Sequence, residues 1–101
     1  MIKYREDYEI DYIRLLELLV ENGWKDESIE FNRLVSIVES SKFVVTAWDF
    51  DYMVGFARLT CDDDCNKQIN NLMVDNEYID KGIKEELVNR IQSFDMRRKS
   101  L

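Results

Sequence analysis

Between Asn70 and Phe94 the hydrophobic period of the chain switches from two to about 3.6 within a few residues. Asn70-Asn71-Leu72-Met73-Val74 reads as an apolar, strand-like run, and residues 75–82 as a polar turn whose only glycine is Gly82. An amphipathic helix follows, in which Ile83, Leu87, Val88, Ile91 and Phe94 share one face while Lys84, Glu85, Asn89, Arg90 and Gln92 point elsewhere. A strand that feeds a glycine turn and a helix start gathers backbone N–H groups, the positive end of the helix dipole and here Lys81 and Lys84 around one point. Such a point suits an anionic phosphate.

The chain ahead of this point supplies two helices and a sheet. Residues 2–9 mix apolar and charged positions and read as a short first strand. Asp11 stands where an N-cap belongs, Tyr12, Leu15, Leu16, Leu19 and Val20 recur at helical offsets, and Asn22-Gly23 is a stop. Trp24 is expected to anchor the core after that stop. Asp26 opens a second helical pattern with Phe31, Leu34, Val35 and Val38 in one stripe, ended by Ser40-Ser41. Residues 43–48 and 52–60 are rich in β-branched and aromatic side chains and flank the short turn Asp49-Phe50-Asp51, so they form a hairpin. A second turn, residues 61–66, leads to residues 68–74, which completes an antiparallel meander. Gly55 inside a strand points to a bulge or to close approach by another backbone. Phe43, Trp48, Phe50, Tyr52 and Phe56 are expected in the core.

Length and charge limit what such a chain can do. At 101 residues it is one small domain, taken as residues 1–95 with a basic tail at 96–101, and no linker is visible because there is no proline and no low-complexity segment. A net charge of −7 excludes a broad basic surface for nucleic acid. No apolar run is long enough to span a bilayer, the N-terminus lacks a signal-peptide core, and a cytoplasmic protein is expected. With no histidine and only Cys61 and Cys65, a Cys/His zinc site is excluded and no metal site is expected; the Asp-rich segment between the thiols reads as a solvated hairpin tip.

Tyr78-Ile79-Asp80-Lys81-Gly82-Ile83 resembles the phosphate-binding turn of the GNAT superfamily of acyl-CoA-dependent N-acetyltransferases. Val54-Gly55-Phe56-Ala57-Arg58 is similar to a strand of that family, and Asn22-Gly23-Trp24 to the segment after its first helix in some members. The family's most specific signature, Gln/Arg-x-x-Gly-x-Gly/Ala, here reads Ile79-Asp80-Lys81-Gly82-Ile83-Lys84, so only the middle glycine is kept. The resemblance implies an α+β fold with a mixed, mainly antiparallel sheet of about four strands and three helices, without the family's C-terminal strand and helix. It also implies that Leu72, Met73 and Val74 offer backbone groups to the pantetheine arm of acetyl-CoA or CoA, and that Ile79, Asp80, Lys81, Gly82, Ile83 and Lys84 wrap its phosphates.

Acetyl transfer to an amine needs a base for the amine and an acid for the departing thiolate. Where family members carry a carboxylate base this chain has Asn70 and Asn71, and Tyr78 is the nearest tyrosine in place of the family's usual acid, with packing of the turn as its expected role. Catalytic residues are thus not assigned. Two functions stay open: acyl-CoA-dependent acetyl transfer to an amine or a weakened form of it, and a non-catalytic interaction module on the same scaffold. Arg58 is expected to form a strand-surface ion pair. The 68–74 strand, as a sheet edge without proline, is expected to pair with a second copy of the chain in a homodimer.

Overall fold

The structure, a computed structural model, describes residues 1–24, 30–61 and 66–99. Four strands, β1 (Ile2–Arg5), β2 (Phe43–Asp49), β3 (Tyr52–Cys61) and β4 (Lys67–Val74), make one sheet in the order β1-β2-β3-β4. Every neighbouring pair is antiparallel, so the sheet has no parallel component among the described residues. The helices are α1 (Tyr12–Glu21), α2 (Phe31–Glu39) and α3 (Ile83–Lys99), with a 3-10 turn at Asn76–Lys81 before α3. Asp26 and residues 62–65 of the expected hairpin tip lie outside the described residues.

Side-chain alternation along β2 and β3 divides the core in two. Val44, Trp48, Met53 and Phe56 face α1 and α2, where they meet Leu15, Leu18, Leu19, Leu34 and Val38. Val45, Ala47, Val54, Ala57 and Leu59 face the other way, onto Ile83, Leu87 and Ile91 of α3. Because both faces are covered, β2 and β3 read as nearly continuous apolar runs rather than as a polar–apolar alternation. Ile83, Leu87 and Ile91 are at most 1% exposed. Each contributes about 2 kcal/mol of transfer free energy as an upper figure.

Local chemistry sets the boundaries. Asp11 caps α1, its carboxylate accepting the Arg14 N–H at 3.1 Å, and Gly23 follows the helix with φ 102, a left-handed value that ends it. In β3 the register slips so that Ala47 pairs with Gly55 but Trp48 with Met53. Val54 and Gly55 therefore both turn toward α3. The glycine marks a bulge; what approaches it is not another backbone but side chains, since a Cβ on Gly55 would lie 3.1 Å from Ile83 Cγ2, 3.2 Å from Ala47 Cβ and 3.3 Å from Leu87 Cδ1. A second bulge lies in β4, where Ala57 alone opposes Asn71 and Leu72, and Asn71 takes φ 53. Asparagine tolerates that left-handed conformation better than most residues.

Three aromatic positions expected inside are outside. Phe50 is 86% exposed because it occupies the two-residue hairpin turn with φ 57, which aims it away from both sheet faces. Tyr52 is 42% exposed and lies over the Arg14 guanidinium at 4.0 Å. Phe31 is 61% exposed and meets Tyr12 edge-to-face at a centroid distance of 5.2 Å. Trp24 does pack against the α1–α2 core. Among the described residues no helix is long and apolar enough to cross a membrane.

Candidate functional site at the β4 edge and the start of α3

The connection from β4 to α3 is more elaborate than a single glycine turn. Asp75 begins it by accepting the Glu77 N–H at 2.9 Å, which starts the 3-10 turn, and Gly82 ends it with φ 73. That value strains any L side chain, so glycine is required by conformation rather than by space. The Gly82 carbonyl then accepts the Glu86 N–H at 3.2 Å, and α3 begins.

Asp75 is held in place by a buried ion pair. Its Oδ2 accepts from Arg14 Nη2 at 2.9 Å, and both side chains are 10% exposed. Arg14 also donates Nε–H to the Met53 carbonyl at 2.9 Å and Nη1–H to Glu17 at 2.7 Å. Burial alone would lower the Arg14 pKa, but the contacts with Glu17, Tyr52 and Asp75 outweigh it and hold the guanidinium above its ordinary value. The turn is thereby tied across the sheet to α1.

The result is a groove of about 260 Å³ lined by Asn22, Leu72, Val74, Asn76, Ile79, Lys84 and Glu85. Of the residues expected from sequence, Leu72, Val74, Ile79 and Lys84 come together here. The side chains of Met73 and Ile83 do not line the groove, being 4% and 0% exposed within the two halves of the core; the expectation for both concerned their backbone. Asp80, Lys81 and Gly82 are exposed and lie outside the lining. Asn22, Asn76 and Glu85 were not foreseen: Asn22 reaches the groove only because the end of α1 lands beside β4, which no local pattern encodes.

The groove has apolar walls and a polar rim. Asp75 N–H donates to the Val54 carbonyl at 2.8 Å, so by the alternation of an antiparallel pair Met73 turns its backbone groups to β3 and Val74 turns its own to the free edge. Lys84 brings a positive charge. Glu85 and Glu86 stand in the first turn of α3 and already answer the positive end of its dipole.

The side chains considered for proton transfer are engaged elsewhere. Asn70 donates to Thr60 Oγ1, and Asn71 Oδ1 accepts the Arg58 Nε–H at 2.7 Å. Tyr78 donates its hydroxyl hydrogen to Asp49 Oδ2 at 2.7 Å and packs against the α3 side of the core. That hydrogen bond, with burial and the charges of Asp49, Asp75 and Glu77 adding to it, pushes the phenol up to about 12. Arg58 departs from its expected role. It makes no ion pair among the described residues, donating instead to Asn71, to the Ile37 carbonyl at 3.4 Å and to Ser41 Oγ at 3.3 Å, and burial holds its pKa below the usual arginine value.

A four-stranded antiparallel sheet with α1 and α2 on one face and α3 on the other, and a groove where the edge strand turns into α3, defines a three-layer α+β domain. No protein-family model and no curated protein matches the sequence. Solved structures do. A GNAT-family acetyltransferase from Streptococcus pneumoniae superposes with a TM-score of 0.75 at 24% identity, over 92% of this chain and 67% of that one. A probable acetyltransferase from meticillin-resistant Staphylococcus aureus gives 0.80 at 18% identity, over 96% and 71%. A glucosamine-6-phosphate N-acetyltransferase from Arabidopsis thaliana gives 0.71 at 14%, over 92% and 73%. The chain has the GNAT fold.

Proposed function

We propose that the chain binds acyl-CoA in the groove beside β4 and serves acetyl transfer to an amine. The observation that carries this reading is the convergence of Leu72, Val74, Ile79 and Lys84, from three consecutive elements, on one groove in a GNAT fold. The residues fit the cofactor: the outward backbone groups of Val74 match an amide-bearing pantetheine arm, Leu72 and Ile79 give it apolar walls, and Lys84 stands at the helix start for a phosphate. Acyl-CoA supplies the activated acyl group; the chain's part is to hold the arm extended along β4 and to shield it from water. Lys81 and the backbone of residues 79–84 complete the phosphate side. Glu85 opposes a phosphate, and a weak affinity follows. The expected setting is the cytoplasm, and the β4 edge is proposed to pair with a second copy where the arm does not occupy it.

A second reading, a non-catalytic interaction module, is favoured by one observation: Asn70, Asn71 and Tyr78 are all engaged in hydrogen bonds with the fold itself. Titrating CoA and acetyl-CoA by calorimetry and thermal shift separates the two. Ligand at a hundred times its dissociation constant adds about 2.7 kcal/mol of stability. No heat and no stabilisation at millimolar ligand would refute the cofactor reading and leave the interaction module. Sedimentation at micromolar protein tests the pairing, and a 12.1 kDa monomer would refute it.

A further inference from the structure

Three arginines have carboxylate partners among the described residues; Arg58, like the exposed Arg33, has none. Arg5 holds Asp7 and Glu9, Arg14 holds Glu17 and Asp75, and Arg90 holds Glu6 and Glu86. Arg58 is half-buried on β3, facing α2, and has no carboxylate among the described residues, in a chain with 21 acidic side chains. Its partners are neutral: the Asn71 amide oxygen, the Ile37 carbonyl and the Ser41 hydroxyl. A guanidinium has five N–H donors, and these bonds use the one on Nε and those on Nη1. The two on Nη2 remain, as does the Asn71 amide NH2. The Ile37 carbonyl lies in the last turn of α2, where the helix dipole offers partial negative charge but no full countercharge.

Asn71, the partner of Arg58, also lines a small cavity of about 40 Å³ together with Leu19, Trp24, Ile37 and Phe56; Arg58 itself does not line it. It is apolar apart from Asn71 and admits a methyl-sized group. Asn71 sits in the β4 bulge immediately before Leu72, and the two side chains serve opposite faces of the sheet: Leu72 the groove, Asn71 the cavity. The arrangement thus joins an uncompensated positive charge, spare amide donors and an apolar recess, on the other side of β4 from the groove.

We infer that Arg58 and Asn71 form a binding site for one carboxylate of a small aliphatic ligand. A carboxylate is preferred to a phosphate because the site offers a single positive charge and no lysine, which matches a monoanion, and because the planar fork of arginine complements it. In the acyl-transfer reading that ligand is the acceptor, an amine that also bears a carboxylate. This last step rests on the proposed function; the carboxylate site does not.

The test uses sodium propionate as probe and sodium chloride at equal ionic strength as control, followed by the Arg58 Nε–H and Asn71 side-chain amide signals in proton–nitrogen correlation spectra. Saturable shifts with propionate and none with chloride are expected. Arg58→Gln should weaken binding at least about tenfold, the loss of one charge-assisted contact. Because that variant risks the fold, Asn71→Asp provides a second arm. It keeps the left-handed backbone residue type and places a carboxylate 2.7 Å from Nε, so it should abolish propionate binding while raising the melting temperature. Unsaturable shifts, equal shifts with chloride, or binding retained in Asn71→Asp would overturn the inference. CoA titrated into wild type in parallel keeps the questions apart: propionate binding without CoA binding leaves the site and removes the acceptor assignment, and the reverse removes the site alone.

Discussion

Replacing Gly55 by alanine tests how the fold positions the groove. The added methyl would meet Ile83 Cγ2 at 3.1 Å, Ala47 Cβ at 3.2 Å and Leu87 Cδ1 at 3.3 Å, each shorter than ordinary van der Waals contact. None of these neighbours has room to yield, since Ala47, Ile83 and Leu87 are all 0% exposed. Ala47 also belongs to a strand paired on both sides, so relief must come from α3 moving off the sheet by a few tenths of an ångström. Overpacking of this kind costs about 1–3 kcal/mol. The stiffer unfolded chain returns about 0.4–1 kcal/mol, which leaves a net loss centred on about 1.3 kcal/mol within a range of about 0–2.6 kcal/mol. For a domain of this size each kcal/mol lowers Tm by about 4–8 °C. Urea unfolding with an unchanged slope reads the stability. Leu87→Ala in the same background should cost less than it does alone, because it vacates the space the methyl needs. A Gly55→Ala protein as stable as wild type, or strict additivity with Leu87→Ala, would refute the close-approach argument.

Asp75→Ala removes both the partner of Arg14 and the cap of the 3-10 turn. It should cost about 2–4 kcal/mol, somewhat below the full cost of breaking a buried pair because Glu17 still engages Arg14; a loss under 1 kcal/mol in urea unfolding would show that the pair does little. The Tyr78 phenol, pushed up to about 12, should appear in the ultraviolet difference titration between wild type and Tyr78→Phe. Since its folded pKa lies above the unfolded value of about 10, its stabilising contribution is complete below pH 10 and is lost as pH climbs toward 12. A midpoint near 10 would contradict the Asp49 hydrogen bond. Lys81→Ala with Lys84→Ala should weaken CoA binding and flatten its salt dependence; unchanged affinity in the double variant would place the phosphates elsewhere.

The order of elements was legible because each carries a local signal. Asp11, Asn22-Gly23 and Gly82 are helix boundaries that the backbone itself enforces, and the period change near Gly82 separates β4 from α3. The α1 stripe was only partly legible: Leu18 is fully buried although it was not assigned to it, and Val20 is 36% exposed. Hydrophobicity alone misplaced Phe31, Phe50 and Tyr52, since an aromatic at a turn or over a guanidinium is satisfied without burial. The groove was half legible. Residues 72–84 lie close in sequence and so could be named, but Met73 and Ile83 point into the core because alternation and helical phase, not proximity, decide which side chains face a groove. Asn22 and the Arg14–Asp75 pair depend on contacts between distant segments, and no single-sequence pattern reports them. Arg58 showed the opposite: its position on β3 was plain, but its lack of an acidic neighbour is a property of three dimensions.

The bond from Arg14 to Asp75 also bears on the order in which the molecule assembles. It joins residues 61 positions apart, whereas the β2–β3 hairpin closes over a two-residue turn and β4 follows by a short return. Closing the longer loop costs more chain entropy, and the guanidinium gains its buried partner only after β3 and β4 have met and α1 has docked on them. The meander and α3 are thus expected to form first, with α1 closing on them last. Removing the Arg14–Asp75 bond should leave the folding rate nearly unchanged and speed unfolding, so that the lifetime of the native state, rather than the ease of reaching it, depends on one arginine in the first helix.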